Sequence, residues 1–493
     1  MENRITKLLL QSAVNNADKI AIFDRSGSIS FKELEMAIRK TATQLQQAGI
    51  RKNHRVLVLI PFSIDLYRVT MAINALGATA IFVEDWISFK QIGYCLQTVV
   101  PDGVVTNLKG MLFSRLHPVL RRIPRKIFYN RFRRKSMLKD PPQIDEESLA
   151  LISFTSGVSG TPKPVSRSFK FLFHQFQTLK KVKNSLKSDV ELVTLPAFVF
   201  INLVVGATSV IADINTLRPE QTKFKKVLKQ LKEHQVNAIC SSPSFMEQLA
   251  DFASGSEMAR SIKKVLTGGA PVFPSVATSL QKAFPDARIL VLYGSSEAEP
   301  ISIIDASDLA GSDTEASSGL RAGKIHPNIR VHLLPIHPAN RLNGKYAIGE
   351  ILVAGPNVVP EPVGKEITRV EIDGIKWHAT GDSGYLNEVN ELVLTGPVDS
   401  LIPDKTNIYS SFVFEALARS ISGLTRAALL SEGSMLVGVV QPKLEAEKEN
   451  LLKTLKDLPF PVGKWVFIAE FPKDKRHGGK IKYEELKKML ADQ

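Results

Sequence analysis

The sequence predicts an α/β protein: a large N-terminal domain of two α/β sheet-and-helix subdomains and a small β subdomain, followed by a small α+β C-terminal domain. Three observations carry this. Helical and strand-like segments alternate through most of the chain, and the alternation occurs in two separate regions. Beyond Gly319 it gives way to short strands broken by turn residues.

The elements follow in order. "ISFKELEMAIRKTATQLQQAG" has a Ser cap, a helical apolar period and a closing Gly. "HRVLVLIP" is a continuous apolar run, the mark of a strand buried on both faces of a parallel sheet. "DLYRVTMAINALGATAIFVE" reads as helix, Gly stop, strand. The second alternation runs "PEQTKFKKVLKQLKEHQ" helix, "VNAICSS" strand, "SFMEQLADFA" helix, "IKKVLTGG" strand, "SVATSLQKAFPDA" helix and "RILVLYG" strand. "NIRVHLLPI", "GEILVAG", "GIKWHAT", "GYLNEVN" and "ELVLTG" are five separate short strands of the β subdomain. After "GPVDS" come a helix over 412–420, strands "RAALLSE" and "SMLVGVVQP", a helix over 444–456, the strand "KWVFIAEF" and a last helix "YEELKKML". The expected domains are therefore 1–397 and 398–493.

Composition sets the bounds. A chain of 493 residues, 44% hydrophobic, buries a large core and splits into more than one domain. Two cysteines are too few for a disulfide framework and fit a reducing compartment. The N-terminus lacks a signal-peptide pattern and no apolar run is long enough to span a bilayer, so a cytoplasmic protein is expected. The net charge is +15, and between Arg115 and Lys135 lie nine basic residues and no acidic one. Phe113, Phe128, Tyr129 and Phe132 accompany them. Such a segment suits a solvated excursion, an anionic membrane surface reached peripherally, or an acidic protein partner. No base-reading module accompanies it, which argues against nucleic acid.

"FTSGVSGTPKPVSRS" concentrates small and hydroxyl residues (Thr155, Ser156, Gly157, Ser159, Gly160) before a single lysine, Lys163. Backbone N–H groups of such a loop converge on phosphate oxygens, with the lysine as a point charge. The Walker spacing does not fit, and alone the loop reads equally as a surface turn. "LYGSSEAEP" supplies Tyr293, Gly294, Ser296 and Glu297 at one strand end. "HATGDSGYL" places Asp382 in a Gly-flanked turn, and "KRHGGKIKYEEL" sets Lys480 after a Gly pair.

In this order the motifs resemble the adenylate-forming superfamily of acyl-CoA synthetases, luciferases and peptide-synthetase adenylation domains, over nearly the whole chain. The resemblance implies ATP and Mg²⁺ as cofactors and assigns roles by position. "TSGVSGTPK" is the phosphate loop, Tyr293 stacks on adenine, Ser296 faces the substrate, and Glu297 binds Mg²⁺. Asp382 holds the ribose, and Lys480 reaches the active site from a C-terminal domain that swings about Asp399. "LTGGAPV" places Gly268, Gly269 and Ala270 at the adenine and acyl pocket. The finer likeness is to the olefin β-lactone synthetase branch, in "LVTLPAFVFINLVVGATSVIADIN", "YGSSEAEPIS" and "DKRHGGKIKY".

"PAFVFINL" is apolar where many members carry a histidine, which suggests that Phe198, Phe200 and Asn202 line a pocket for a fatty acyl substrate. Two second steps stay open. Either the acid's own 3-hydroxyl displaces AMP to close a β-lactone, or coenzyme A accepts the acyl group, as in a fatty acid–CoA ligase. A reading from another class is a catalytically silent acyl- or nucleotide-binding protein. Val158 stands in place of a loop hydroxyl residue and Pro397 in place of an arginine before the hinge.

Overall fold

In the computed structural model, residues 4–83, 87–129, 142–155, 162–215, 221–310, 318–337, 341–342, 345–359, 369–404, 407–443, 447–472 and 481–491 are described. They form two units: residues 1–241 with 356–367, and residues 242–355 with 368–493.

The first unit carries two sheets. One has the order Arg125–Phe128, Gly103–Thr106, Arg55–Leu59, Thr79–Phe82, Leu149–Thr155, Lys163–Ser168. Its first five strands are parallel and the last turns back antiparallel. Burial on both faces explains the unbroken apolar runs: Val56, Leu57, Ile81 and Val104 are fully buried, and helices pack on each side. The helix Phe31–Gln47 starts at a capping box in which Ser30 Oγ accepts from Glu33 N while Glu33 reaches back to Ser30 N. The other sheet places Ala238–Ser241, Val190–Val193, Thr208–Ile211 and Ile20–Asp24 side by side in parallel, with the hairpin strand Gly27–Ser30 at its edge.

A buried ion pair fixes this second sheet to its helices. Lys183 Nζ donates to Glu191 at 2.7 Å and to Asn202 Oδ1 at 3.0 Å. Asn202 Nδ2 donates to Glu191 at 2.7 Å and to Ser209 Oγ at 3.0 Å. Both charged side chains are only 5% exposed, so the amide is what satisfies the remaining lone pairs.

In the second unit the strand order is Arg330–Pro335, Gly349–Ala354, Ile375–Leu386, Glu391–Pro397, Leu320–Ile325, Ala298–Asp305, Arg288–Ser295, Lys264–Gly268. "GIKWHAT" and the start of "GYLNEVN" are one strand of 12 residues, Ile375–Leu386, where the sequence suggested two strands and a turn. The reason is Gly381, whose φ of +76° lets the chain bulge without ending the ladder.

Residues 398–493 fall within this unit but have their own three-stranded sheet, Leu424–Glu432, Met435–Pro442 and Val462–Phe467. The helices Ser411–Arg419, Lys448–Lys456 and Tyr483–Ala491 cover it. Leu401, Ile408 and Val413 share a core with Leu342, Ile348, Tyr385 and Val393. Arg419 adds a polar tether, 3.2 Å from Glu415, 3.7 Å from Glu247 and 4.6 Å above the Phe273 ring. Among the described residues no helix is long and apolar enough to cross a membrane.

Lys183→Met leaves the Glu191 carboxylate buried and unpaired, which lowers stability by about 3–5 kcal/mol. Urea unfolding should show Lys183→Met/Glu191→Gln recovering most of that loss, and equal midpoints for the two variants contradict the account.

Candidate active site

The residues singled out in the sequence fall in both units. In the first, the Gly/Ser loop joins two antiparallel strands, Leu149–Thr155 and Lys163–Ser168, with Thr155 opposite Lys163 in register. A strand follows the lysine, and the helix Phe169–Val182 begins only after it, so this is no Walker loop. Ser156, Gly157, Val158, Ser159 and Gly160 lie outside the described residues, as does Lys480.

The apolar stretch is the helix Pro196–Val205. Phe198 is buried, its ring 5.5 Å from Lys183 Nζ. Phe200 stacks on Phe176 at 6.2 Å and meets the edge of Tyr67 at 5.0 Å. Tyr67 in turn donates its hydroxyl to Pro196 O at 2.9 Å. Asn202 is 1% exposed, its amide held by Lys183, Glu191 and Ser209. Its polar atoms serve the packed interior.

In the second unit the strand Arg288–Ser295 ends in a tight hairpin, with Ser295 paired to Ala298 and Ser296 and Glu297 at the turn. Ser295 Oγ holds the turn, accepting from Glu297 N and Ala298 N at 3.2 Å each. A Cβ on Gly294 would lie 2.8 Å from Ala298 O, so only glycine lets the strands close here. The parallel strand Lys264–Gly268 sets Gly268 against Leu292, where a Cβ would meet Leu292 O at 2.4 Å. Gly269, at φ +85°, turns the chain into Ala270. Thr267 Oγ1 just before them is buried without a hydrogen-bond partner.

Asp382 stands at the bulge of Ile375–Leu386, opposite Pro397. Thr380 Oγ1 donates to Ile351 O at 2.8 Å and accepts from Asp382 N at 3.1 Å, which fixes the bulge. The Tyr293 hydroxyl donates to Asp382 Oδ2 at 2.9 Å. Burial, and then the Asp382 charge, push the Tyr293 phenol well above its ordinary value, so it remains a donor. Asp399 lies in the helical turn Val398–Ser400 directly after Pro397. Buried hydroxyls staple that corner: Ser383 to Thr395 at 2.8 Å, Ser410 to Thr395 O at 2.7 Å, and Ser400 to Ser411 at 2.9 Å.

His378 was not singled out in the sequence. It is 6% exposed, and its Nδ1 has no hydrogen-bond partner. Burial holds its pKa down at about 4, although the Glu297 charge pulls the other way. The ring is therefore neutral near pH 7. Ser295 and Thr380 were missed as well, although a hydroxyl two residues before the functional carboxylate is a turn signal legible in both "SSE" and "TGD".

This geometry offers an aromatic hydroxyl bound to a carboxylate, a second carboxylate on a hairpin turn, and glycine-lined backbone at the neighbouring strand end. The class it defines is corroborated by comparison. The model of the AMP-binding enzyme family matches residues 9–361. The chain belongs to that family and is an ATP-dependent, adenylate-forming enzyme of the ligase and synthetase kind. Among curated proteins it is 25% identical to an olefin β-lactone synthetase of Stenotrophomonas maltophilia, over 93% of this chain and 90% of that one. It is 24% identical to the peroxisomal OPC-8:0-CoA ligase 1 of Arabidopsis thaliana, over 96% of this chain and 91% of that one. Among solved structures, ATP-bound MatB from Rhodopseudomonas palustris shares the fold with a TM-score of 0.84 at 17% identity, covering 100% of this chain and 99% of that one.

A neutral, buried His378 makes stability depend on pH. Its folded pKa lies below the unfolded value near 6.5, so the unfolded chain binds the extra proton first as pH falls. Stability present above about pH 6.5 is lost progressively down to about 4, by about 3 kcal/mol for this group. Unfolding of the metal-free protein across that range measures it; His378→Leu should flatten the slope, and an unchanged slope contradicts the assignment.

Proposed function

We propose that this enzyme activates a long-chain 3-hydroxy fatty acid as its acyl adenylate and then closes it to a β-lactone. The observation that carries the nucleotide half is the Tyr293–Asp382 hydrogen bond beside the Ser296–Glu297 turn. In this reading the Tyr293 ring stacks on adenine and Asp382 accepts from the ribose hydroxyls. Gly269 and Ala270 line the base, with Gly268 toward the acyl side. Ser296 faces the substrate. Thr155, Ser156, Gly157, Ser159, Gly160 and Lys163 take the phosphates. Residues 398–493 form the lid, Asp399 is its hinge, and Lys480 is its cation.

The chemistry explains why these groups are needed. A carboxylate oxygen attacks the α-phosphorus of ATP and pyrophosphate leaves, so two anions must meet. Lys163 and Lys480 offset the charge that builds there, Glu297 would hold a Mg²⁺ ion that would supply further positive charge, and each such group is worth on the order of a hundred- to a thousandfold in rate. Glu297 fits Mg²⁺ as a hard oxygen ligand on an ordered turn. One carboxylate suffices when phosphate oxygens complete the shell.

In the second step the substrate's 3-hydroxyl oxygen bonds to the carboxyl carbon. The bond from that carbon to the AMP oxygen breaks, and the hydroxyl proton goes to solvent. The likeness to olefin β-lactone synthetases supports this closure, and the aromatic cluster of Phe200, Phe176 and Tyr67 supports a greasy acid. The coenzyme A ligases among its relatives support a second reading, in which the thiol of coenzyme A takes the acyl group. The buried thiols of Cys95 and Cys240 suit the reducing cytoplasm proposed as its compartment.

The experiment is a product analysis with ATP, Mg²⁺ and a panel of fatty and 3-hydroxy fatty acids, with and without coenzyme A. β-Lactone and AMP should form from the 3-hydroxy acid alone, while a thioester formed only with coenzyme A overturns the closure in favour of the second reading. Glu297→Gln should raise the Mg²⁺ requirement of pyrophosphate exchange about tenfold or more, and Lys480→Ala should abolish the exchange. Overlaid Mg²⁺ titrations, or wild-type exchange in Lys480→Ala, count against the respective roles.

A further inference from the structure

Two of the described aromatics of the basic segment, Tyr129 and Phe113, turn inward. Tyr129 is 8% exposed within the core of the first sheet, and Phe113 packs on the opposite face. What the segment shows to solvent is a row of leucines instead. Leu108, Leu112 and Leu116 on the helix Leu108–Leu116 are 73%, 63% and 72% exposed. They are spaced four apart, so they form one stripe. At 100° per residue Lys109 and Arg115 fall on the two rims of that stripe, and both are exposed. Ser114 and Phe113 occupy the opposite face, against the protein.

The charge around the stripe is of one sign. From Gly103 to Lys139 the sequence holds eleven basic residues and no acidic one. Arg121 and Arg122, in and just after the next short helix, are exposed. Lys126 is spent on the carbonyls of Arg121 and Ile123, and the Arg125 guanidinium on Asp102 O. Among the described residues, Lys109, Arg115, Arg121 and Arg122 are the exposed cations of this stretch.

We infer that the helix Leu108–Leu116 is a membrane-docking element that lays Leu108, Leu112 and Leu116 into the surface of an anionic bilayer while Lys109, Arg115, Arg121 and Arg122 meet lipid phosphates. An apolar centre with cations on both rims is the arrangement of a helix lying in the interface plane. Long basic side chains keep their charge at headgroup level while the leucines enter the acyl boundary. The chain from Gly103 to Lys139, basic without an acidic residue, is complementary to a leaflet of negative charge. The element carries none of the residues assigned to adenylation, so it would bring the enzyme to a lipid-partitioned substrate without altering the chemistry. In that respect the inference extends the fatty-acid reading.

The test is cosedimentation of the full chain with phosphatidylcholine vesicles, with and without phosphatidylglycerol, at low and high salt. Wild type should bind the anionic vesicles at low salt and leave the neutral ones in the supernatant. Leu108→Ser/Leu112→Ser/Leu116→Ser should weaken binding about a hundredfold, and Arg121→Gln/Arg122→Gln about thirtyfold at low salt. Pyrophosphate exchange on a soluble acid is read on the same preparations. It should match wild type in both variants, which separates a failure of docking from a failure of the adenylation reading. Wild type that ignores anionic vesicles at low salt overturns the inference in favour of an acidic protein partner. Undiminished binding by the leucine variant overturns the insertion of the stripe.

Discussion

Tyr293 and Asp382 are hydrogen-bonded although their strands are not neighbours. Three strands separate them in the sheet order, so a flat sheet would hold them about 19 Å apart, four steps of about 4.8 Å. The tyrosine and aspartate side chains reach across part of that backbone separation, and a curl of the sheet closes the rest. The curl has identifiable sources. The ladder shifts register at Tyr293/Ser295, Arg321/Gly323, Glu350/Leu352 and Ser383/Gly384. Each bulge bends its strand and adds twist. Two of these places admit only glycine: a Cβ on Gly323, at φ +80°, would lie 2.3 Å from Ile303 O, and one on Gly384 2.3 Å from Val393 O.

This constraint links the β-rich strands to the chemistry. Strands 320–397 might be taken for ornament on an α/β sheet, yet they deliver Asp382 to the end of Arg288–Ser295. The two carboxylates then sit in different electrostatic settings. Asp382 accepts a phenol hydroxyl and suits polar recognition, whereas Glu297 projects from a hairpin turn beside a neutral imidazole. A neutral His378 adds no positive charge to compete with a cation at Glu297. The corner after Pro397 is held by short hydroxyl contacts, which places Asp399 at the junction between curled sheet and C-terminal segment.

Much of this was legible in the sequence, and the parts that were not share a cause. Fully buried parallel strands announce themselves by unbroken apolar runs, and caps such as Ser30 with Glu33 announce helix starts, because both signals are local. "YGSSE" was legible as a cluster at one strand end, but the close approach at Gly294 and the turn held by Ser295 depend on the partner strand Ala298–Asp305. Asp382 was assigned to a turn because Gly381 looks the same in a turn and in a bulge; only the partner strands distinguish them. Asn202 looked like pocket lining, but its partners Lys183, Glu191 and Ser209 come from other elements that no local pattern reveals. The membrane reading of the basic segment put its aromatics at the lipid interface, whereas Tyr129 and Phe113 pack against the protein. Their inward packing exposes the leucine row, whose spacing of four was present in the sequence all along.

An adenylate-forming enzyme joins a carboxylate to the α-phosphorus of ATP, and the reading proposed above places that attack at the site organised by this curled sheet. The most direct measurement uses a fatty acid whose carboxyl group carries heavy oxygen, with mass analysis of the nucleotide product. Attack at the α-phosphorus followed by acyl transfer leaves one heavy oxygen in AMP, and that is the expected result. Unlabelled AMP, or ADP in its place, would contradict the account.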